Sequence, residues 1–207
     1  MHQYLTSALT ADILQEFSNE CDAISTYCRG DGKGLIGGML IDMLLSECFA
    51  KHLTQYTNCH AGESDMAICN LPLSQKKITG KSAIALDWSK NSRQSNRERF
   101  TCDIMLINLK TTEWWKKTPA TVLPKLHLVY TTTIPAGIYI VDKAFCKTYI
   151  TLTSNNKTNT LISQQYVYCM LKRSIAAKLY IRLPPPDKKL TFSIAAAFSQ
   201  LQQQWLV

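Results

Sequence analysis

The sequence predicts an α/β (α+β) fold, one domain over residues 1–207 with a mixed central β-sheet flanked by helices. Three observations carry this expectation. Apolar residues recur at helical spacing from Gly34 to about Leu53, at Leu35, Ile36, Met39, Leu40, Met43, Leu44 and Leu53. Short apolar runs bounded by polar residues read as strands over Asp65–Leu71, Ser82–Trp88 and Asp103–Lys110. The second half is β-rich, with strands predicted over Leu126–Thr133, Gly137–Val141 and Tyr149–Thr153, and with Pro135-Ala-Gly137 between the first two.

The remaining elements follow in chain order. Thr10 is a suitable N-cap for a short helix carrying Ile13, Leu14 and Phe17. Arg29-Gly-Asp-Gly-Lys-Gly34 reads as a loop. It lacks both the phosphate-loop spacing and a preceding strand. Residues Ile162 to about Ile175 are predicted helical, Pro184-Pro185-Pro186 breaks the chain, and an alanine- and glutamine-rich helix spans Phe192–Leu206. No internal repeat or interdomain linker divides the sequence.

Composition narrows the function classes. With 46% apolar and 18% charged residues the chain can bury a full core, which argues against disorder. No apolar run reaches the roughly 18 residues a membrane-spanning helix requires, and the N-terminus has no basic segment followed by a long apolar one, so a soluble, cytoplasmic protein is expected. The net charge of +8 favours a polyanionic partner. Between Lys76 and Lys117 lie ten basic and four acidic residues, a net charge of +6. The eight cysteines contain no Cys-x-x-Cys, and the grouping Cys48, His52, Cys59 and His60 matches no common zinc spacing. Reduced, mostly buried thiols are expected instead.

The chemistry-bearing stretch is Glu63–Arg99. Asp65 opens one apolar run, Asp87 closes the next, and Lys90 follows three positions later. If the two runs form a hairpin, two carboxylates and an ammonium meet at one end. Two oxygen ligands can hold Mg²⁺ against a phosphate while a lysine positions water, which suits metal-assisted phosphodiester hydrolysis. Glu47 falls within the apolar sector of the 34–53 helix, and a carboxylate there needs a partner, either a basic side chain or amide, or a metal ion. Asp42, at the sector's edge, is a weaker alternative. Arg93, Arg97 and Arg99 alternate with amides and hydroxyls, the side chains that read guanine and adenine edges in the major groove. A merely solvated basic loop is the plainer reading. Trp114-Trp115-Lys116-Lys117 suits stacking on a base or anchoring to the core, and Ser154–Asn159 reads as a polar turn.

The arrangement of Asp65, Asp87 and Lys90 resembles the PD-(D/E)xK nuclease superfamily, in which an acidic residue starts one strand and a second acid and a lysine, one residue apart, end its neighbour. Here Trp88 and Ser89 separate Asp87 from Lys90, one residue more than the family pattern. Ser89-Lys90 followed by Arg97-Glu98-Arg99 resembles the Ser-x-Lys and arginine-rich reading segments of members that cut CCGG-like sites. The resemblance implies a restriction-endonuclease-like fold and a type II site-specific deoxyribonuclease. It implies Asp65, Asp87 and Lys90 as catalytic residues, and Asp65 and Asp87 with Glu47 as Mg²⁺ ligands. It further implies 5′-phosphate products and a homodimer on palindromic double-stranded DNA, with Arg93, Arg97 and Arg99 as DNA contacts. Since some members replace the second acid by an amide, Asp87, Asn108 and Lys110 form a rival set. A non-catalytic basic DNA-binding module and an interaction protein without a nucleic-acid role are the other function classes.

If Arg97 and Arg99 fork onto guanine edges, Arg97→Ala and Arg99→Ala should each cost roughly 1 to 3 kcal/mol on a cognate duplex and little on a scrambled one. Binding isotherms on both duplexes check this, and equal losses would make the segment a phosphate clamp.

Overall fold

In the computed structural model, the longer apolar-patterned segments form helices, and short apolar runs, such as the wholly buried Gly137–Val141, form strands. Residues 1–28, 34–61, 64–78, 84–86, 102–113, 133–146, 160–162 and 164–205 are described. In order, they form α1 (His2–Ala8), α2 (Ala11–Tyr27), α3 (Gly34–His52), β1 (Tyr56–Ala61), β2 (Ser64–Ile68) and β3 (Leu71–Ile78). Next come β4 (Ile84–Leu86), β5 (Asp103–Asn108), β6 (Thr112–Glu113), β7 (Thr133–Ile134), β8 (Gly137–Val141) and β9 (Thr160–Ile162). The last elements are α4 (Gln164–Ala176), β10 (Tyr180–Arg182) and α5 (Lys188–Trp205). By internal contacts the chain forms two units: Met1, Gln3–Tyr56 and Leu183–Val207 in one, His2 and Thr57–Arg182 in the other.

The first unit is helical. Thr10 caps α2 as expected, its hydroxyl accepting the Ile13 N–H at 3.5 Å. Asp187 does the same for α5, with its Oδ1 accepting the amides of Lys189 at 2.9 Å and Leu190 at 3.5 Å. Asn19 on α2 accepts the Asp187 amide at 2.7 Å, so the start of α5 is tied to the middle of α2. The Tyr27 and Phe198 rings meet 6.0 Å apart further along the pair. Gly37 lets α3 close on the end of α2, because a Cβ there would sit 3.0 Å from the Cys28 Cβ.

Helix α3 faces differently from the sequence expectation. Its buried stripe is Ile41, Leu45 and Phe49, continued by Leu53, whereas Ile36, Met39 and Met43 are exposed. Glu47 is therefore on the exposed side rather than on a buried face. The first three turns of α3 are apolar almost all round, so periodicity alone could not orient them.

The second unit is built on a six-stranded mixed sheet in the order β1-β2-β3-β5-β8-β10. Its key connection is the two-residue turn Cys69-Asn70, with φ of 52° and 62°. Positive φ at both central residues is the type I′ geometry whose twist suits a tight hairpin. It folds β3 back on β2 with Met66 opposite Leu73 and Ile68 opposite Leu71. This corrects the expected pairing of the Asp65 strand with Ser82–Trp88. Ile84–Leu86 instead pairs with Thr160–Ile162 in a separate two-stranded sheet. The Lys76-Lys77 stretch, between the strands predicted over Asp65–Leu71 and Ser82–Trp88, belongs to β3.

Beyond the hairpin, β3 runs parallel to β5, and β8 and β10 add antiparallel. The predicted strands at 103–110 and 137–141 are thus present, and α4 matches the helix predicted over 162–175 within two residues at its start. Ile104, Leu106, Tyr139 and Val141 lie at successive registers on one sheet face, packed with Val167 and Leu171 of α4 in one core. The predicted strand at 149–153, all but the end of that at 126–133, Trp114–Lys117 and Ser154–Asn159 lie outside the described residues. The fold is α/β with a mixed sheet, as the sequence predicts. Among the described residues, no helix is long and apolar enough to cross a membrane.

Helix α4 ends in a left-handed residue, Lys178 at φ 55°, with the amides of Lys178 and Leu179 returning to the carbonyls of Ile175 (3.0 Å) and Ser174 (2.8 Å). Glycine adopts that conformation without a Cβ penalty. Lys178→Gly should therefore stabilise the protein by about 0.5 to 1 kcal/mol, read as a higher urea midpoint at unchanged m-value.

Candidate active site

Asp65 sits one residue into β2, just beyond the first Met66–Leu73 pair of the hairpin. Its Oδ2 accepts the Gln75 backbone N–H at 2.6 Å and the Ser74 hydroxyl at 3.4 Å. A charged acceptor makes such bonds worth about 1.5 to 3 kcal/mol each when well aligned, so the short amide bond dominates. The clasp fixes where the carboxylate points and leaves Oδ1 without a protein hydrogen bond among the described residues. Ser74 is buried, while Asp65 and Lys76 are half-buried.

Strand alternation sorts the neighbours. The Ser74–Asp65 contact places both side chains on one face of the hairpin, and Lys76, two residues on, shares that face. Gln75 and Lys77 belong to the opposite face. The hairpin thus aligns a carboxylate with a Ser74-x-Lys76 pair on the neighbouring strand, a set the sequence reading passed over. The sequence signal for it is the Cys69-Asn70 dipeptide, which forms a two-residue hairpin turn ahead of the short run Leu71–Leu73.

Of the other expected site residues, Asp87, Lys90, Arg93, Arg97 and Arg99 lie outside the described residues. Glu47 lies in the helical unit, where it lines a cavity between α2 and α3 with Glu16, Glu20, Cys48, Lys51 and His52. Burial first, then the charges of Glu16 and Glu47, raise the Glu20 pKa above its ordinary 4.5, with Lys51 opposing. Burial first, then the charges of Glu16 and Glu20, push the Cys48 thiol up to about 11, with Lys51 opposing. Among the described residues, no three His, Cys, Asp or Glu side chains are gathered as a metal centre. All eight cysteines are free.

The rival residues Asn108 and Lys110 stand at the end of β5. Asn108 is fully buried, its Nδ2 donating to the Pro135 carbonyl at 2.9 Å and its Oδ1 accepting the Lys110 N–H at 3.4 Å. Its amide is thus occupied in holding the chain together where β5 ends.

No family model and no curated protein matches the sequence. Among solved structures, the chain is similar to a restriction endonuclease in complex with substrate DNA. The likeness spans 95% of each chain at a TM-score of 0.55 and 13% identity. The fold is restriction-endonuclease-like.

The acidic cavity has a pH signature. Because the folded-state pKa of Glu20 is raised, the native protein holds its proton to higher pH than the unfolded chain. Stability is therefore lost as pH rises from about 4.5 through that raised value. Glu20→Gln should raise Tm at pH 7 and leave it nearly unchanged near pH 3.5. A Tm gain of equal size at both pH values would assign the effect to packing.

Proposed function

We propose that this chain is a metal-dependent, site-specific double-stranded DNA endonuclease of the type II restriction class. The observation that carries the reading is the Asp65 carboxylate, fixed on Gln75 and Ser74 beside Lys76, within a restriction-endonuclease-like fold. A carboxylate oxygen without a hydrogen bond among the described residues, on the same hairpin face as a strand-borne lysine, suits a hard, oxygen-seeking cation such as Mg²⁺. Asp65 and Asp87 are its proposed protein ligands, while Glu47, the third ligand the sequence suggests, belongs to the helical unit. When bound, Mg²⁺ would neutralise charge on the phosphate undergoing attack.

The chain's own groups supply the rest. A lysine, Lys90 or Lys76, orients the attacking water and stabilises charge on the phosphate oxygens. Water adds to phosphorus as the bond to the 3′ oxygen breaks, leaving a 5′-phosphate and a 3′-hydroxyl. Symmetric cutting of both strands by one small site calls for a homodimer on a palindrome, in the cytoplasm where foreign DNA arrives. Arg93, Arg97 and Arg99 are the proposed base-reading contacts.

A second reading has an observation of its own. A carboxylate held by two protein donors also serves to tie β2 to β3, which is all that a non-catalytic DNA-binding module would need of Asp65. Incubation of the purified protein with phage DNA and Mg²⁺ separates the two, since discrete bands support the nuclease and gel shifts without cleavage the binder.

Within the nuclease reading, Asp65→Ala and Asp87→Ala should each abolish cleavage, while duplex binding in Ca²⁺ persists or tightens. Lys76→Ala and Lys90→Ala distinguish the lysines. The variant that loses at least 100-fold in single-turnover rate at saturating DNA identifies the catalytic one, and wild-type rates in both would transfer the role to Lys110 of the rival set.

A further inference from the structure

One level of register crosses four strands of the sheet. Ile78 on β3 pairs with Asn108 on β5, Asn108 with Gly137 on β8, and Gly137 with Arg182 on β10. At about 4.8 Å between neighbours, this sheet end runs roughly 14 Å from β3 to β10. Cationic side chains attend it along that length: Lys77 one residue before the row, Lys110 two residues past it, and Arg182 in it. Lys110 and Arg182 are exposed, and Lys77 is half-buried.

Two local devices fix this end. The buried Asn108 amide holds the Lys110 N–H and the Pro135 carbonyl, while the Leu109 N–H reaches the Ile78 carbonyl at 3.4 Å, so Lys110 leaves the sheet at a set point. Gly137 allows β10 its close approach, because a Cβ there would lie 2.6 Å from the Ile181 carbonyl oxygen. Arg182 thereby stays in the row.

The opposite end of the same strands is different. Asp103 opens β5 and Asp142 follows β8. Asp103 accepts the Lys143 amide at 2.9 Å, and Asp142 accepts the Phe145 amide at 2.7 Å while pairing with Arg173 at 3.3 Å. The sheet therefore has an end whose carboxylates are matched locally and an end lined by lysine and arginine, with Glu113 of β6 following beyond Lys110. It is also the carboxyl end of the parallel β3–β5 pair, the side on which open α/β sheets take their ligands.

From this we infer that the β3–β5–β8–β10 end is a phosphate-binding edge along which a DNA duplex lies, with Lys110 and Arg182 as sequence-independent backbone contacts and Asn108 as a positioning residue for Lys110. A B-form duplex carries one charge per about 1.7 Å of axis, so a 14 Å edge faces several phosphates at once. The inference rests on the DNA-directed reading above and adds where the backbone runs.

The test is the salt dependence of binding to a random-sequence duplex in Ca²⁺. Lys110→Ala and Arg182→Ala should each lower the slope of log K against log salt by about one unit, and the double variant by about two. Lys143→Ala, at the other end, should leave the slope unchanged. Asn108→Ala should weaken binding less than Lys110→Ala and add nothing to it in the double variant. Wild-type slopes in Lys110→Ala, Arg182→Ala and their double, in a protein that cleaves DNA with Mg²⁺, overturn the edge but not the nuclease. Reduced slopes in a protein that binds without cleaving uphold the edge and overturn the nuclease. A wild-type protein that binds no duplex overturns the edge.

Discussion

The register of one hairpin governs the candidate site. Two residues with positive φ, Cys69 and Asn70, set Met66 against Leu73, and everything chemical in the sheet follows from that alignment. A slip of one residue would send Ser74 and Lys76 to the face opposite Asp65 and expose Leu73. The buried apolar set of Met66, Ile68 and Leu73 prevents the slip, so the same burial that stabilises the hairpin brings the carboxylate and the lysine to one face. Fold and site are here specified by the same few side chains.

Charge is arranged as carefully as packing. The +8 balance of the chain is not spread evenly through the sheet. Carboxylates at Asp103 and Asp142 serve as caps and as a partner for Arg173, which also lies 4.0 Å over the Phe145 ring. In the helical unit the reverse occurs, with Glu16, Glu20 and Glu47 sharing one cavity with Lys51 and His52. Among the described residues, carboxylates are thus used locally at one sheet end and crowded between two helices, while Lys110 and Arg182 stand exposed at the other sheet end.

The sequence made the coarse fold legible because apolar period is strong in long elements. The 103–108 and 137–141 strands, the α4 helix and the Thr10 cap all follow from period and capping chemistry. The strand that carries Asp65 was legible too, since Asp65 opens an apolar run. What escaped was pairing. Strand partners are a property of turns and of distant segments, and Ile84–Leu86 pairs with residues some 76 positions away. Lys76 and Lys77 concealed a strand because half-buried lysines can extend their stems along a sheet and keep the ammonium wet. The orientation of α3 escaped for the converse reason, its many apolar residues leaving no polar face to mark the outside.

The metal preference can be argued from the thiols as well as from the carboxylate. Burial pushes the Cys48 thiol up to about 11 and that of Cys146 higher still, which disfavours their thiolate forms. Cys21, Cys102 and Cys169 are buried as well and serve as small core residues. Asp65, by contrast, presents a carboxylate whose Oδ2 is held by the Gln75 amide and the Ser74 hydroxyl and whose Oδ1 has no hydrogen bond among the described residues. Hard cations choose such oxygens, and so does the chemistry of phosphate esters, whose own oxygens complete the coordination. An oxygen-bound divalent ion at the β2–β3 hairpin is accordingly a proposal that starts from Asp65, held there by the Gln75 amide at 2.6 Å.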